Sequence, residues 1–278
     1  MVGRRRAWMH FPIYLRVGPL VLNPHWVFEV LAYIAAFCVY LMQRRKRGDA
    51  LSTDMRWWLI AAMLAGAAIG SKVLFWFEDP RLTAAHWNDP SYLLSGKTIV
   101  GALIGGLIAV EWAKRRLGIT QRTGDLFVLP LIAGTAVGRI GCFLTGTEDQ
   151  TAGIHTSLPW GVDFGDGPRH PSQIYEIIFL MFLAGLLIWL SRRPHRQGSL
   201  FKLYFVSYLA FRLAVDSIKP EVRVFARLSS IQCACLLMML YLLWDWRRES
   251  SLPILGSIPN LKGVENVEME AHVLEARK

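Results

Sequence analysis

The sequence predicts an all-α membrane protein with about seven transmembrane helices and a small loop head on one side. Three observations carry this. Of 278 residues, 53% are hydrophobic and only 19% charged, a balance more apolar than a soluble domain of that length uses. The apolar residues gather repeatedly into blocks of bilayer-crossing length, roughly 17–25 residues. Basic residues sit in short loops beside those blocks, where they orient helices and meet anionic head groups. The net charge of +10 therefore points to a membrane surface, and nucleic acid is not an expected partner.

The blocks fall at about 26–43, 57–77, 98–113, 124–144, 172–190, 200–217 and 228–246. The second carries Gly66 and Gly70, the third Gly101 and Gly105, and the fourth Gly134 and Gly138. Small residues at this spacing let helices approach closely in lipid, where van der Waals packing replaces the hydrophobic effect. The third block is the shortest. The fifth is expected to open with Pro171 at its first helical position, where the missing N–H costs nothing. Trp57, Trp58, Trp76, Trp87, Trp112, Trp244 and Trp246 read mostly as interfacial belt residues. Together the blocks make one transmembrane domain, 1–248. No internal repeat stands out, which speaks against an inverted-repeat transporter.

Loop charges set the expected orientation. The loops after the first, third and fifth blocks carry twelve Lys and Arg, including Arg44 to Arg47, Lys114 to Arg116 and Arg192. The opposite loops carry six: Arg81, Lys97, Arg169, Lys219, Arg223 and Arg227. This puts the N-terminus outside and the C-terminus in the cytoplasm, with Arg4 to Arg6 voting against from a distance. The N-terminus lacks a cleavable signal pattern. The loop at about 145–171 is the expected outer head, and the polar stretch 249–278 a flexible or weakly helical cytoplasmic tail. Cys38, Cys142, Cys233 and Cys235 lie in or beside apolar blocks and read as small hydrophobes, so no disulfide framework, metal or other cofactor is expected.

Charge at bilayer depth costs several kcal/mol and usually marks a site. Glu29, Lys72, Arg139, Glu176, Arg212 and Asp216 qualify. By the predicted topology they converge on the outer half of the membrane, whereas unrelated snorkelling residues would scatter over both leaflets. Arg212 and Asp216, one helical turn apart, could instead neutralise each other. Two Arg and a Lys fit a phosphate better than a cation pore, because the guanidinium fork matches phosphate oxygens and a cation pathway would favour carboxylates. The expected ligand is a phospholipid head group.

Gly138-Arg139-Ile140-Gly141-Cys142-Phe143, then His170-Pro171-Ser172-Gln173-Ile174-Tyr175-Glu176, then Tyr208 to Arg212 with Asp216 and Lys219-Pro220, follow in an order and spacing that resembles the bacterial prolipoprotein diacylglyceryl transferase family. The resemblance covers most of residues 17–246. It implies a seven-helix enzyme of the bacterial inner membrane that moves the diacylglyceryl group of phosphatidylglycerol onto the Cys of a prolipoprotein signal peptide. It further implies that Arg139 and Arg212 hold the head group, with Tyr208, His170, Gln173, Tyr175 and Glu176 at motif positions. The chain departs from the family pattern in several places. Val100 and Ala102 flank Gly101 where the family has His-Gly-Gly. Cys142 and Thr145 stand for two Asn of the signature, Thr147 stands for its Glu with Glu148 displaced by one, and His25-Trp26-Val27 stands where the family has Trp-Tyr.

Thioether formation needs a thiolate, since a thiol with a pKa near 8.5 attacks poorly, and it needs cations at the leaving phosphate. Arg139, Arg212 and Lys72 are the candidate phosphate ligands. His170, Glu176 or His25 is the candidate base for the incoming Cys; Tyr208 and Arg212 stand with His170 and Glu176 as the candidate catalytic residues, and Tyr175, Gln173, Glu29, Asp216 and His25 support them. His170 could equally be a structural residue at the start of its helix, and Cys142 a packing residue. The competing functions are transfer to another acceptor, a non-catalytic protein binding anionic lipid, and, as an outsider, a channel.

Overall fold

The computed structural model describes residues 11–49, 51–220, 222–225 and 227–250. Among these, seven long helices match the seven apolar blocks in order: α1 (Pro24–Arg47), α2 (Thr53–Trp76), α5 (Ile99–Arg116), α6 (Val128–Thr145), α7 (Ser172–Ser191), α8 (Ser199–Val215) and α9 (Ser230–Ser250). Two short helices, α3 (Pro80–Ala85) and α4 (Pro90–Ser95), intervene between α2 and α5. Among the described residues, four segments are long and apolar enough to cross a membrane by length and composition: Pro24–Lys46, Thr53–Trp76, Gly124–Asp149 and Ser172–Ser191. The tail expected at 249–278 lies almost wholly outside the described residues, as does the Arg4–Arg6 cluster.

The packing follows small residues. α2 and α5 cross where Gly66 and Gly70 meet Gly105 and Gly101. A Cβ on Gly105 would stand 2.8 Å from the Gly70 Cα, and one on Gly66 2.5 Å from the Gly105 carbonyl oxygen. α1 and α6 close in the same way. Gly134 faces Ala32 and Ala36, and a Cβ on Gly141 would stand 2.5 Å from the Phe28 Cβ. These contacts bring the backbones together without the hydrophobic effect, as helix pairs in lipid require. The interior carries Leu180, Leu183, Tyr204, Phe205, Tyr208 and Leu209, all nearly inaccessible. The outside carries Val30, Ile34, Leu64, Ile69, Ile108, Ile178, Phe182 and Leu237, all strongly exposed. An apolar exterior on this scale is what a lipid-facing surface looks like.

The short helices were not foreseen. Each begins with Asp-Pro: Asp79 accepts from the amides of Arg81 and Leu82, and Asp89 from that of Ser91. Capping plus a proline at the first helical position forms a helix of six residues, too brief for any hydrophobic periodicity to show.

The expected outer head holds little regular structure. After α6 a 3-10 turn runs Gly146–Asp149, then a two-stranded ribbon pairs β3 (Val162–Asp163) with β4 (Pro168–Arg169). A second ribbon, β1 (Leu15–Val17) with β2 (Leu20–Leu22), precedes α1. Pro171 precedes α7 and is not its first residue: its ψ of 70° is not helical, and the helix starts at Ser172. A 3-10 turn Asp216–Ile218 ends α8, and α9 opens on a reciprocal cap. The Gln232 amide donates to Ser229 Oγ at 3.1 Å while Gln232 Oε1 accepts from the Ser229 amide at 3.1 Å, the Ser-x-x-Gln capping box. Among the described residues, those up to Leu242 form one compact unit and those from Leu243 belong to a second. In the second, the Arg248 guanidinium lies 5.6 Å from the Trp244 ring centre.

Candidate active site

Three helices deliver the charged residues to one place. Glu176 lies one turn into α7, Tyr208 and Arg212 lie one turn apart on α8, and Arg139 is in the second half of α6. All four are buried. Glu176 organises them. Its Oε2 pairs with the charge of Arg139, whose Nε lies 2.9 Å away, and accepts from Arg212 Nη1 at 3.1 Å, while its Oε1 accepts from the Tyr208 hydroxyl at 2.6 Å. A buried carboxylate without partners would be very costly; this one holds two guanidinium groups whose charges exceed its own by one.

The alternative for Arg212 and Asp216, mutual neutralisation, is not the arrangement found. Arg212 turns to Glu176, and Asp216, fully buried, accepts a short hydrogen bond from the Ser229 hydroxyl. Asp216 thereby ties the end of α8 to the start of α9. Gln232 adds a second tie by donating to the Leu213 carbonyl at 3.2 Å.

Above this cluster lies a cavity of about 430 Å³, in the size range of small-molecule sites. Arg139 and Arg212 form part of its wall, with Lys97, Arg169 and Lys219 completing five basic side chains against the acidic Glu78, Asp149 and Asp166. Val100, at 0% exposure, lines it too. At the rim the Arg169 guanidinium grips Asp166 with Nη2–Oδ2 2.6 Å and holds that carboxyl below its usual range.

The remaining candidates separate into groups. His25 and Glu29 sit together at the start of α1. Asn23 caps that helix by accepting from the His25 amide at 2.8 Å, and Pro24 fixes its first residue. His25 Nδ1 lies 2.9 Å from Asp149 Oδ1, and Glu29 pairs with Lys97 at 2.7 Å. Gln173, buried, donates to Thr151 Oγ1 at 2.9 Å. His170 and Tyr175 pair off at 3.2 Å, and Trp160 Nε1 donates to the same tyrosine oxygen at 2.9 Å. Neither His170 nor Tyr175 lines the cavity. Lys72 stands apart as well, donating to the Leu94 carbonyl and, at 2.7 Å, to that of Gly96. Its ammonium fastens α4 and the following turn to α2.

One association went unread in the sequence. Cys142, assigned to packing, lies beside His25 and Asp149, and Arg139 Nη1 comes within 3.9 Å of its sulfur. Residues 25, 142 and 149 meet only because α1 packs along α6 and the turn after Gly146, at φ 73°, folds Asp149 back. The spacing between Cys142 and Asp149 was visible; their partner, more than a hundred residues away, was not.

Residues 12–246 match the family model described as prolipoprotein diacylglyceryl transferase. The chain belongs to that family. Its relatives include the phosphatidylglycerol–prolipoprotein diacylglyceryl transferases of Pseudoalteromonas atlantica, Clostridium tetani and Nitratidesulfovibrio vulgaris. The first is 32% identical over 74% of this chain and 74% of its own length. The second is 30% identical over 76% and 86%, and the third 27% identical over 84% and 92%. The prolipoprotein diacylglyceryl transferase family is one of transferases in lipoprotein biosynthesis. Membership agrees with the membrane character of the helices.

Proposed function

We propose that this chain transfers the diacylglyceryl group of phosphatidylglycerol to the lipobox Cys of prolipoproteins. We read it as a seven-span protein of the bacterial inner membrane, N-terminus outside and C-terminus cytoplasmic, with the cavity at the outer face. The observation that carries the reading is the pair Arg139 and Arg212, buried, cross-braced by Glu176 and forming one wall of a basic cavity. Two guanidinium groups sharing one carboxylate keep a net positive charge for a phosphate. Because they are already fixed, little reorganisation is needed as charge develops on the leaving oxygen.

In the reaction the acceptor thiolate attacks the diacylglyceryl carbon bonded to the phosphate oxygen. That carbon–oxygen bond breaks, and its electron pair goes to glycerol phosphate held by Arg139 and Arg212. Glu176 serves as the brace: both its oxygens are engaged, so it is not the base. His170 is committed to Tyr175 away from the cavity. His25 does not line the cavity itself but sits against Asp149, a residue of its wall.

A second reading has a specific observation behind it. Val100 gives the cavity wall an apolar residue where the family pattern has His, which favours the same lipid donor with a different acceptor. The test is a reconstituted assay with phosphatidylglycerol and a lipobox peptide, read by peptide mass. A gain of one diacylglyceryl group, lost in Arg139→Ala and in Arg212→Ala at normal expression, is the expected result. No gain, with the lipid still bound, refutes the prolipoprotein acceptor. Near-normal transfer by either arginine variant refutes the phosphate clamp.

A further inference from the structure

Three side chains that the phosphate clamp does not use converge beside it. His25, Cys142 and Asp149 each offer one metal-ligating atom, and those atoms lie within 4.8 Å of one another. They come from three elements: the second residue of α1, the last turn of α6 and the end of the Gly146–Asp149 turn. His25 Nδ1 stands 2.9 Å from Asp149 Oδ1 yet is buried and makes no hydrogen bond among the described residues. The two atoms are close without an N–H directed along the line between them. On the other side of the ring, Nε2 faces Glu29 Oε2 at 3.8 Å, an oxygen likewise buried and without a hydrogen-bond partner among the described residues. Lys97 holds the second oxygen of Glu29 at 2.7 Å.

This arrangement differs from a cysteine nucleophile served by a His–Asp pair. Such a triad needs one ring nitrogen on the carboxylate and the other on the thiol, whereas here both nitrogens face carboxylates. A carboxylate behind a histidine whose other nitrogen meets further donors is the pattern of a metal ligand and its outer support.

We propose that His25, Cys142 and Asp149 form a site for one divalent cation of the zinc class, its fourth position open to the cavity that carries Arg139 and Arg212. A nitrogen, a sulfur and an oxygen donor suit zinc better than magnesium or calcium, and three protein ligands with one open position are the zinc arrangement for catalysis. Around a tetrahedral zinc the donors stand about 3.3–3.8 Å apart, so closing the set takes a shift of about 1 Å from the 4.8 Å limit. Asp149 is itself part of the cavity wall.

The role of the ion rests on the transferase reading. The acceptor thiol enters the open position and binds as thiolate, because a coordinated thiol gives up its proton, here to water. The sulfur then attacks the diacylglyceryl carbon, the phosphate leaves with the bonding pair onto Arg139 and Arg212, and the neutral thioether, a weaker ligand, departs. This supplies thiol deprotonation in a cavity whose wall has Val100 in place of the family's histidine.

The test uses the full chain in nanodiscs containing phosphatidylglycerol, stripped with a chelator and titrated with Zn²⁺, bound metal being counted by plasma mass spectrometry. About one ion per chain is expected. Co²⁺ in its place should give a sulfur-to-metal absorption band that Cys142→Ser abolishes. Cys142→Ser, His25→Ala and Asp149→Asn should each weaken Zn²⁺ binding by at least about 10-fold. Cys142→His, which exchanges one ligand for another, should retain it and so separates a lost ligand from a misfolded chain. Wild-type binding far below one ion, or binding unchanged in all three single variants, overturns the site. In the lipobox-peptide assay, a stripped chain that transfers at the full rate overturns the ion's role in thiol activation. Stoichiometric Zn²⁺ binding without any mass gain supports the site and overturns the transferase reading instead.

Discussion

Replacing Glu176 offers the sharpest test of how the site is held. Arg139 at 2.9 Å and Arg212 at 3.1 Å converge on the same carboxylate oxygen, and Tyr208 at 2.6 Å holds the other. All of these groups are buried. In Glu176→Gln the amide can turn its oxygen to the guanidinium groups and its NH₂ to Tyr208, whose hydroxyl oxygen then accepts. The hydrogen bonds with Arg212 and Tyr208 survive; the counter-charge that also pairs Arg139 does not. Breaking a buried ion pair by removing one partner costs about 3–5 kcal/mol, so the Gln variant should lose about 3 kcal/mol and Glu176→Ala, which also strands Tyr208, about 5 kcal/mol. The assay is equilibrium unfolding in mixed micelles, with and without phosphatidylglycerol. An anionic head group in the cavity would supply the missing charge, so the lipid should stabilise both variants more than the wild type. Variants as stable as wild type would show that the carboxylate does not brace the arginines. Equal lipid stabilisation in all three chains would show that the cavity does not take a phosphate.

Three further outcomes follow from the packing and the loops. Gly105→Ala should destabilise by about 1–3 kcal/mol or more, because its Cβ would meet Gly70 backbone that cannot move aside. Gly185→Ala, with nothing within 4 Å of the new methyl, should be neutral or gain about 0.5–1 kcal/mol; equal effects in unfolding experiments would refute the α2–α5 contact. Ser229→Ala should cost about 2 kcal/mol by removing both the α9 cap and a donor to buried Asp216, with Ser229→Thr largely restoring it. Asp49, between α1 and α2, feels burial that raises its pKa, outweighed by hydrogen bonds from Arg56 and the Leu51 amide and by the charges of Arg56 and Arg44, so the net shift is downward. A carboxyl lowered in the folded state stabilises fully above its unfolded value near 3.9 and loses that contribution as pH falls through the folded value. The stability gap between wild type and Asp49→Asn should therefore shrink on acidification below about pH 4; a gap that widens would contradict the assignment.

Much of this was legible in the sequence for one physical reason: lipid imposes local rules. Backbone polar groups must be satisfied within the helix, so block length and loop charge outline each helix without knowledge of its neighbours. Glycine spacing marked the faces of α2 and α5, and the cost of charge at bilayer depth singled out Arg139, Glu176 and Arg212. What lay beyond reach depended on partners far along the chain. Lys72 had the right charge and depth for a phosphate, but its ammonium goes to the Leu94 and Gly96 carbonyls, since α4, too short to leave a periodic signal, packs across its path. Arg212 and Asp216 sit one turn apart, a spacing that suggests a pair. Only the approach of α7 and α9 decides that Glu176 takes one and Ser229 the other. The sequence by itself determined the helices and which of their residues do not belong in lipid. The tertiary structure alone decided which charges meet, and that Cys142 faces His25 and Asp149, because ion pairs and ligand clusters depend on distance across helices that the order of residues does not encode.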